Sequence, residues 1–352
     1  MGTCASYPPA VIEILRNLYF SGDPLHSTAL QKALSMAGIN LDSRTIRYHV
    51  SSLESKGFVQ RLGKKGVILT PKGIEEVKAL LVFERIGMTS LETQKLLEQC
   101  DFDIEKKTGK IIVNLATCPK DSIYEVLENL NNISSSSIII SPLIGLIGEE
   151  QRVWNINIPK GQIGIATISS TNYESIFFRN GVPLTNSATG LFKIEQNKPK
   201  GFTELICHSG TTISPGQLLC KGLYTQVSKY LETGSGYVTA SIKVFPSFYC
   251  ERAIKIANYL KQHLLNSVFE MGCIMPENYR MSVNDRNKGY IIVFGGANYL
   301  APLIEKNFTS DIHIASLLFD LENMFTPKEI LLKIKNNDMP PLSRPIIDQI
   351  NF

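Results

Sequence analysis

The sequence of 352 residues lacks any apolar run long enough to span a bilayer, which takes about 18 to 20 residues. Its longest apolar candidate, residues 138–147, is interrupted by Ser141, Pro142 and Gly145. The N-terminus also lacks the positively charged stretch followed by an apolar run that marks a secretory signal. These absences exclude a membrane helix and indicate a cytoplasmic protein.

Metal-binding and disulfide patterns are missing too. The seven cysteines contain no C-x-x-C pair and do not cluster with the five histidines. A zinc site therefore finds no support, and we expect reduced thiols that mostly serve as small core residues. The cysteines are Cys4, Cys100, Cys118, Cys207, Cys220, Cys250 and Cys273.

Catalytic and nucleotide-binding motifs are also absent. The sequence contains no G-x-G-x-x-G, Walker A, nucleophile-elbow or paired-carboxylate motif. Ser and His are adjacent at His208-Ser209, and adjacent residues of a strand point to opposite faces. We therefore expect neither an enzyme nor a bound cofactor, although an enzyme fused to another domain is an alternative.

Residues 42–72 have the order of a winged helix-turn-helix. Asp42 or Ser43 can cap a helix, and Ile46, Val50 and Leu53 form one apolar stripe along it. The outer faces carry residue types that bind phosphates and base edges in a major groove. These residues are Arg44, Thr45, Arg47, Tyr48 and Ser51.

A basic hairpin follows this helix. Residues 58–59 and 67–70 are predicted to form short strands, joined by a glycine-containing turn that lies on the phosphate backbone. The cations of this turn are Arg61, Lys64 and Lys65. Upstream, residues 8–19 and 29–37 carry apolar stripes of helical period, which completes the motif.

The distribution of charge agrees with DNA binding. Residues 1–85 hold 11 Lys and Arg against 7 Asp and Glu, whereas the other 267 residues hold 25 of each. The net charge of +4 therefore belongs to the first quarter of the chain, as expected of a protein that contacts double-stranded DNA. The alternative is a helical domain whose basic face contacts another protein.

The rest of the chain alternates strands and helices, the pattern of a mixed α/β domain. We predict helices over residues 74–84, 119–130, 173–180 and 249–265. We predict strands over residues 101–104, 111–115, 137–141, 162–168, 190–194, 202–207, 236–245 and 290–294. The expected fold class is thus α+β, with a winged helix-turn-helix over residues 1–85 and a mixed α/β domain over residues 86–325.

The last residues, 326–352, are predicted to form a helical tail. Thr326-Pro327-Lys328-Glu329 is a capping box with proline at the first helical position, and a short amphipathic helix follows it. The remainder either docks on a partner or another subunit, or is a partly ordered end.

A weak internal repeat links residues 161–181 to residues 289–308. Both have a strand, a loop of small residues, Asn-Tyr and a helix, so that Asn172 corresponds to Asn298. Chance explains the likeness about as well as a true repeat. A true repeat would place two loops with backbone N–H groups at helix N-termini, where anions bind.

At these motifs the chain resembles the NrpR nitrogen-regulatory repressors of methanogenic archaea. The resemblance covers roughly residues 7–325, and its motifs occur in the family's order. They are ERIGM (84–88), IGIATISSTNYESIFFRNGVP (163–183), GLFKIE (190–195), FTELICHSGTTISPGQLLCKGLYTQV (202–227), TGSGYVTASIKVFP (233–246) and FGGANYLAP (294–302). One position departs from the family pattern, because Leu223 stands where a basic residue is expected.

The resemblance implies a repressor of nitrogen-assimilation genes that binds a palindromic operator as a homodimer or higher homo-oligomer. 2-Oxoglutarate would bind the single regulatory domain as an effector and release the DNA. The alternative is a DNA-associated corepressor or scaffold, in which a second protein with further regulatory domains supplies the effector response.

A dianion such as 2-oxoglutarate needs cations or several N–H donors. We predict that it binds loops rich in small and polar residues, although simple tight turns are an alternative interpretation of these loops. The predicted effector residues are Ser169, Ser170, Thr211, Thr212, Gly234, Ser235, Gly295, Gly296 and Asn298. The cations near these loops are interpreted as surface charges; they are Arg179, Lys221, Lys243 and Lys306.

Overall fold

The computed structural model describes residues 7–86, 88–153, 156–281, 283–309 and 311–336. Cys4 and the predicted tail beyond Asn336 lie outside these ranges. The chain divides into two compact units, Met1–Ile86 and Gly87–Phe352. Within the described ranges, no helix combines the length and the apolar character needed to cross a membrane.

The first unit is a winged helix, as the sequence predicts. Its elements are α1 (Pro9–Ser21), α2 (Ser27–Met36), α3 (Ser43–Ser55), β1 (Val59–Arg61), β2 (Val67–Leu69) and α4 (Pro71–Leu80). β1 and β2 pair antiparallel, and Leu25 adds a bridge to Val67. Apolar faces of the helices and strands share one core.

α4 begins earlier than predicted. The hydroxyl of Thr70 accepts the backbone N–H of Gly73 at 3.0 Å, and Pro71 occupies the first helical position, where its missing N–H costs nothing. The helix therefore starts at Pro71 rather than at Ile74, and it ends at Leu80.

The second unit contains both long sheets and most of the helices. Its helices are α5 (Met88–Gln99), α6 (Ile123–Ile133), α7 (Asn172–Arg179), α8 (Pro215–Lys221), α9 (Val227–Thr233), α10 (Cys250–Lys261), α11 (Ala301–Glu305) and α12 (Pro327–Lys335). Its strands are β3 (Lys110–Pro119), β4 (Ile144–Ile147), β5 (Arg152–Val153), β6 (Ile156–Asn157), β7 (Gln162–Ile168), β8 (Thr185–Glu195), β9 (Lys198–Cys207), β10 (Gly236–Pro246), β11 (Val268–Gly272), β12 (Lys288–Phe294) and β13 (Ile312–Asp320).

These strands form a duplicated β-α-β-β-α-β arrangement. One sheet has the order β13-β3-β7-β4, and the other has the order β11-β12-β10-β8-β9. The first copy runs from β3 to β8, and the second runs from β10 to β13. Strands β3, β7 and β4 pair with one another in the first copy as β10, β12 and β11 do in the second. The last strand of each copy joins the sheet of the other copy, since β8 pairs with β10 and β13 pairs with β3.

The registers of the two copies match. In the first, β3 pairs with β7 from Val113–Ile168 to Pro119–Gln162. In the second, β10 pairs with β12 from Ala240–Phe294 to Pro246–Lys288. The weak repeat seen in the sequence is therefore a structural duplication, and it extends well beyond the two segments that revealed it.

Two predicted strands are wrong. Residues 137–141 form no strand; instead, the carbonyls of Ile138 and Ile140 accept bonds from Asn298 and Asn266. Residues 101–104 keep only one bridge, between Asp103 and Thr108. There the Asp101 and Asp103 carboxylates accept nearby backbone N–H groups, which compete with strand pairing.

The remaining differences are smaller. The helix predicted over residues 119–130 spans Ile123–Ile133, and the helix predicted over residues 249–265 spans only Cys250–Lys261. Strand β13 was not predicted, because a bulge between His313 and Leu317 interrupts its alternation and Ala315 adopts a φ of +49°. The capping box at Thr326 is confirmed, and the helix it begins, α12, packs against α6.

The expectation of reduced thiols fails at one pair. Cys250 and Cys273 form a disulfide, with their Cα atoms 5.2 Å apart. It ties the start of α10 to the segment after β11, a proximity that sequence spacing alone does not reveal. Among the described residues the other cysteines are free; Cys100, Cys118 and Cys220 are buried and Cys207 is exposed.

Candidate functional site

Helix α3 separates a buried face from an exposed one. Ile46, Val50 and Leu53 are buried in the core of the first unit. The predicted DNA-contacting side chains are exposed, except that of Thr45, which is half-buried; the exposed ones are Arg44, Arg47, Tyr48 and Ser51. Tyr48 is 72% exposed, so the outer face holds a large aromatic side chain that the core does not require.

Asp42 fixes the start of this helix. Its carboxylate accepts the backbone N–H of Thr45 at 2.7 Å, and this bond holds the pKa of Asp42 below its usual value. Of the two caps that the sequence allowed, Asp42 is therefore the one that the structure uses, with Ser43 as the first helical residue.

The wing is a compact cationic turn. Gly63, Lys64 and Lys65 form a short 3-10 turn between β1 and β2, and both lysines are exposed. Gly66 adopts a φ of +103°, and a Cβ there would lie 2.5 Å from the Leu25 carbonyl oxygen. The turn thus requires glycine at position 66, where the backbone of Leu25 approaches.

Arg61 connects the wing to the recognition helix. Its Nη2 donates to the Ser51 hydroxyl at 2.7 Å, and its Nε lies 3.4 Å from the Glu54 carboxylate. Two of the predicted DNA-contacting residues therefore bond to each other, which holds the wing and the helix in one orientation.

The predicted effector residues fall into separate neighbourhoods. Ser169 and Ser170 follow β7, and Gly295 follows β12. A Cβ on Gly296 would lie 2.9 Å from the carbonyl oxygen of Ile168, so the ends of these two strands meet. Asn298 is fully buried in the same region.

The other members of the predicted set lie on turns. The Ser235 hydroxyl accepts the N–H of Gln196 at 2.9 Å, and the carbonyl of Gly234 accepts that of Asn197. Both residues thus support the turn between β8 and β9. Ser235 also lines a shallow groove of about 150 Å³ with Lys193 and Lys229.

Thr211 and Thr212 lie in the loop before α8. Thr211 bonds locally, because its hydroxyl donates to the Ile213 carbonyl at 2.6 Å. The structure therefore brings the loops after β7 and β12 together, whereas the contacts of Thr211, Gly234 and Ser235 belong to two other loops.

The hydrogen-bonding groups of Asn298 are all engaged within the protein. Its Oδ1 accepts the Thr239 N–H at 2.7 Å, and its Nδ2 donates to the carbonyls of Thr239 and Ile138. The backbone N–H of Gly295 likewise donates to the Thr239 carbonyl at 2.8 Å. These bonds fasten the loop that follows β12 to strand β10.

One cation interpreted as a surface charge is buried. Lys243 on β10 has no exposed surface, and its Nζ lies 2.7 Å from the Glu174 carboxylate on α7. Burial lowers the pKa of Lys243, and the Glu174 charge opposes that effect. The prediction for Lys243 was therefore wrong, whereas Arg179, Lys221 and Lys306 are exposed.

Further polar groups adjoin this ion pair. Thr189 on β8 bonds to the Ser241 hydroxyl at 2.7 Å and to the His208 Nε2 at 2.9 Å. Burial, and then the charge of Lys243, lower the pKa of His208 to about 4. We call Lys243, Glu174, Thr189, Ser241 and His208 the buried polar cluster.

The sequence contains a pattern that indicates this cluster, although our predictions did not use it. Along β10, polar Thr239, Ser241 and Lys243 alternate with the apolar side chains of residues 238–244. Such a period of two places the polar residues on one face of the strand. That face is buried, so its polar side chains require partners.

Among the side chains that the structure describes, no three His, Cys, Asp or Glu residues converge as metal ligands would.

The two units together define a transcription regulator with a winged-helix domain and a separate α/β domain. A family model of the NrpR regulatory domains NRD1 and 2 matches residues 86–326, and one of the ribonuclease R winged-helix domain matches residues 12–77. The first match spans more than half of the chain. The protein therefore belongs to the NrpR family of nitrogen regulators.

Curated relatives agree. The chain is 27% identical over 314 residues to the global nitrogen regulator NrpRI of Methanosarcina mazei, covering 89% of this chain and 96% of that protein. It is 26% identical over 334 residues to NrpR of Methanocaldococcus jannaschii. That match covers 93% of this chain but 57% of the relative, so the chain spans little more than half of that protein.

A solved structure has the same fold. A nitrogen repressor-like protein from Methanococcus jannaschii superposes with a TM-score of 0.54 at 20% identity. The match covers 67% of this chain and 96% of that one. At this identity the likeness concerns the fold alone.

Proposed function

We propose that this protein represses nitrogen-assimilation genes by binding a palindromic operator as a homodimer, and that 2-oxoglutarate releases it. The observation that carries the proposal is the exposed face of α3. Arg44, Arg47 and Tyr48 project from a helix whose opposite face is buried. The exposed wing lysines stand beside it.

The cations of helix α3 and those of the wing have different roles in DNA binding. Arginine bonds bidentately to guanine, so Arg47 reads base edges in the major groove. The wing residues Lys64 and Lys65 contact phosphates, which give affinity without sequence preference. Arg61 holds the wing against α3 through Ser51, so both sets of contacts form together.

A palindromic operator requires two copies of this unit. Recognition helices of a dimer enter successive major grooves about 34 Å apart. 2-Oxoglutarate, which accumulates when nitrogen is short, favours an arrangement in which the two helices no longer match the half-sites. Typical coupling of this kind amounts to about 1–3 kcal/mol.

Operator selection followed by titration tests the proposal. Random duplexes are enriched on the purified full-length protein, and the selected site is titrated at several salt concentrations with and without 2-oxoglutarate. We expect a palindromic site, a steep salt dependence and weaker binding with 2-oxoglutarate. Equal affinity for selected and random DNA would instead favour a corepressor or scaffold that depends on a partner.

A further inference from the structure

The two copies of the β-α-β-β-α-β arrangement provide an internal comparison for the buried polar cluster. Asn172 bonds the backbone of Ile112 in the first copy as Asn298 bonds that of Thr239 in the second. In the matched registers, Lys243 on β10 corresponds to Ala116 on β3. Counting from the two asparagines, Glu174 corresponds to Leu300.

The pair of positions related to these two by the duplication is apolar. Ala116 and Leu300 are both fully buried in one apolar core. Equivalent positions of the duplicated domain are therefore filled without an ion pair. Since burying two charges costs several kcal/mol per ion before their attraction is counted, the fold alone does not account for Lys243 and Glu174.

The ion pair also leaves hydrogen-bonding capacity unused. The Nζ of Lys243 carries three hydrogens, and its one hydrogen bond within the described part of the chain goes to Oε1 of Glu174. Oε2 of Glu174 is buried and has no hydrogen-bond partner there, although Glu174 is only 4% exposed. Natural proteins satisfy more than nine in ten buried polar groups, and the unused N–H donors of Lys243 are groups that an added acceptor such as a carboxylate would satisfy.

The surrounding groups suit a carboxylate. Ser241 lies on the same strand as Lys243 and Thr189 lies on the neighbouring β8, and their hydroxyls bond to each other at 2.7 Å. His208 approaches from the 3-10 turn that follows β9 and is only partly buried. The N–H donors of Lys243 thus lie in a cluster that also holds two hydroxyls and one partly exposed residue.

We infer that the buried polar cluster is a binding site for a small dicarboxylate, one carboxylate of which takes the place of Glu174 on Lys243. One carboxylate replaces another, so the charge of Lys243 stays neutralised. Glu174 lies in the first turn of α7, and its release frees that helix from β10. This inference rests on the proposed function, for which it locates the effector.

α7 is connected to the helix that follows the DNA-binding unit in the sequence. It packs against α5, and Arg179 at its end donates to the Phe102 carbonyl at 3.1 Å. Asn172 at its start lies 3.6 Å from the Cys100 sulfur. A shift of α7 therefore acts on residues 100–102, directly after α5.

The test compares two double variants of the full chain. Lys243→Ala with Glu174→Leu installs the side chains of the related positions, Ala116 and Leu300. Lys193→Ala with Glu195→Leu removes an equivalent pair of charges from the groove lined by Ser235, where these residues lie 2.5 Å apart. Titration calorimetry with 2-oxoglutarate, glutarate and inorganic phosphate is the measurement, and thermal unfolding checks that each variant is folded.

We expect the wild type and the groove variant to bind 2-oxoglutarate alike, and the Lys243–Glu174 variant to bind at least tenfold more weakly. If that variant does not fold, Lys243→Met with Glu174→Gln replaces it. If the folded Lys243–Glu174 variant binds 2-oxoglutarate as the wild type does, the inferred site is wrong but the proposed function stands. The same conclusion follows if only the groove variant loses binding. A wild type that binds neither dicarboxylate overturns both.

Discussion

Asn172 and Asn298 make the same hydrogen bonds in two different sheets. Each side chain accepts the N–H and donates to the C=O of one residue in the neighbouring strand, Ile112 for the first and Thr239 for the second. Both asparagines are fully buried. They mark equivalent points of a duplicated domain, at which a loop is fastened to the central strand of its sheet.

This relationship predicts that Asn298 is needed for stability. Asn298→Ala leaves the buried N–H and C=O groups of Thr239 without side-chain partners, so we expect a loss of about 2–4 kcal/mol in the free energy of unfolding. Denaturant unfolding measures it, with Asn287→Ala, at an exposed position, as the control. A stable variant that has lost only its response to 2-oxoglutarate would instead support the direct effector role predicted from sequence.

The buried ion pair gives a second prediction. Lys243→Ala alone leaves the Glu174 carboxylate buried without its cation, and we expect a cost of about 3–5 kcal/mol. Adding Glu174→Leu removes that charge, so the double variant should recover most of the lost stability. Denaturant unfolding of the three proteins tests this, and a double variant less stable than Lys243→Ala would contradict it.

DNA binding gives a third prediction. Arg47→Ala should weaken operator binding by about 1–3 kcal/mol and relax base preference, because a bidentate contact discriminates between bases by this amount. Lys64→Ala should weaken operator and random DNA equally and make the salt dependence shallower. Fluorescence anisotropy with both duplexes measures the two effects. Equal losses on both duplexes for Arg47→Ala would count against base reading by this residue.

The pKa of His208 gives a fourth prediction. The folded protein binds a proton there only near pH 4, whereas the unfolded chain does so near pH 6.5. Between these values the unfolded state holds more protons, so stability should fall as the pH drops from about 6.5 towards 4.

The variant His208→Gln cannot take up this proton in either state. The free energy of unfolding of this variant should therefore depend less on pH across the same window. Above about pH 8 the difference in unfolding free energy between the two proteins should no longer change with pH. Unfolding free energies at intervals of half a pH unit measure the slopes. Identical slopes between pH 4 and 6.5 would show that His208 does not titrate differently in the two states.

The first unit was predictable because its signals are local. The cap at Asp42, the stripe of Ile46, Val50 and Leu53, and the glycines of the wing act on neighbouring residues in the chain. The motif order of the second unit likewise identified its family. The errors lie where side chains compete with backbone pairing, as at Asp101 and Asp103.

The sequence by itself determined the winged helix, its exposed cations and the family of the larger domain, because helix periodicity and motif order are written in consecutive residues. Only the tertiary structure decided that β8 and β13 exchange places between two copies, that Cys250 bonds to Cys273 and that Lys243 is buried against Glu174. These contacts join residues far apart in the chain. Which distant residues meet depends on how sheets and helices pack, and no local pattern encodes that packing.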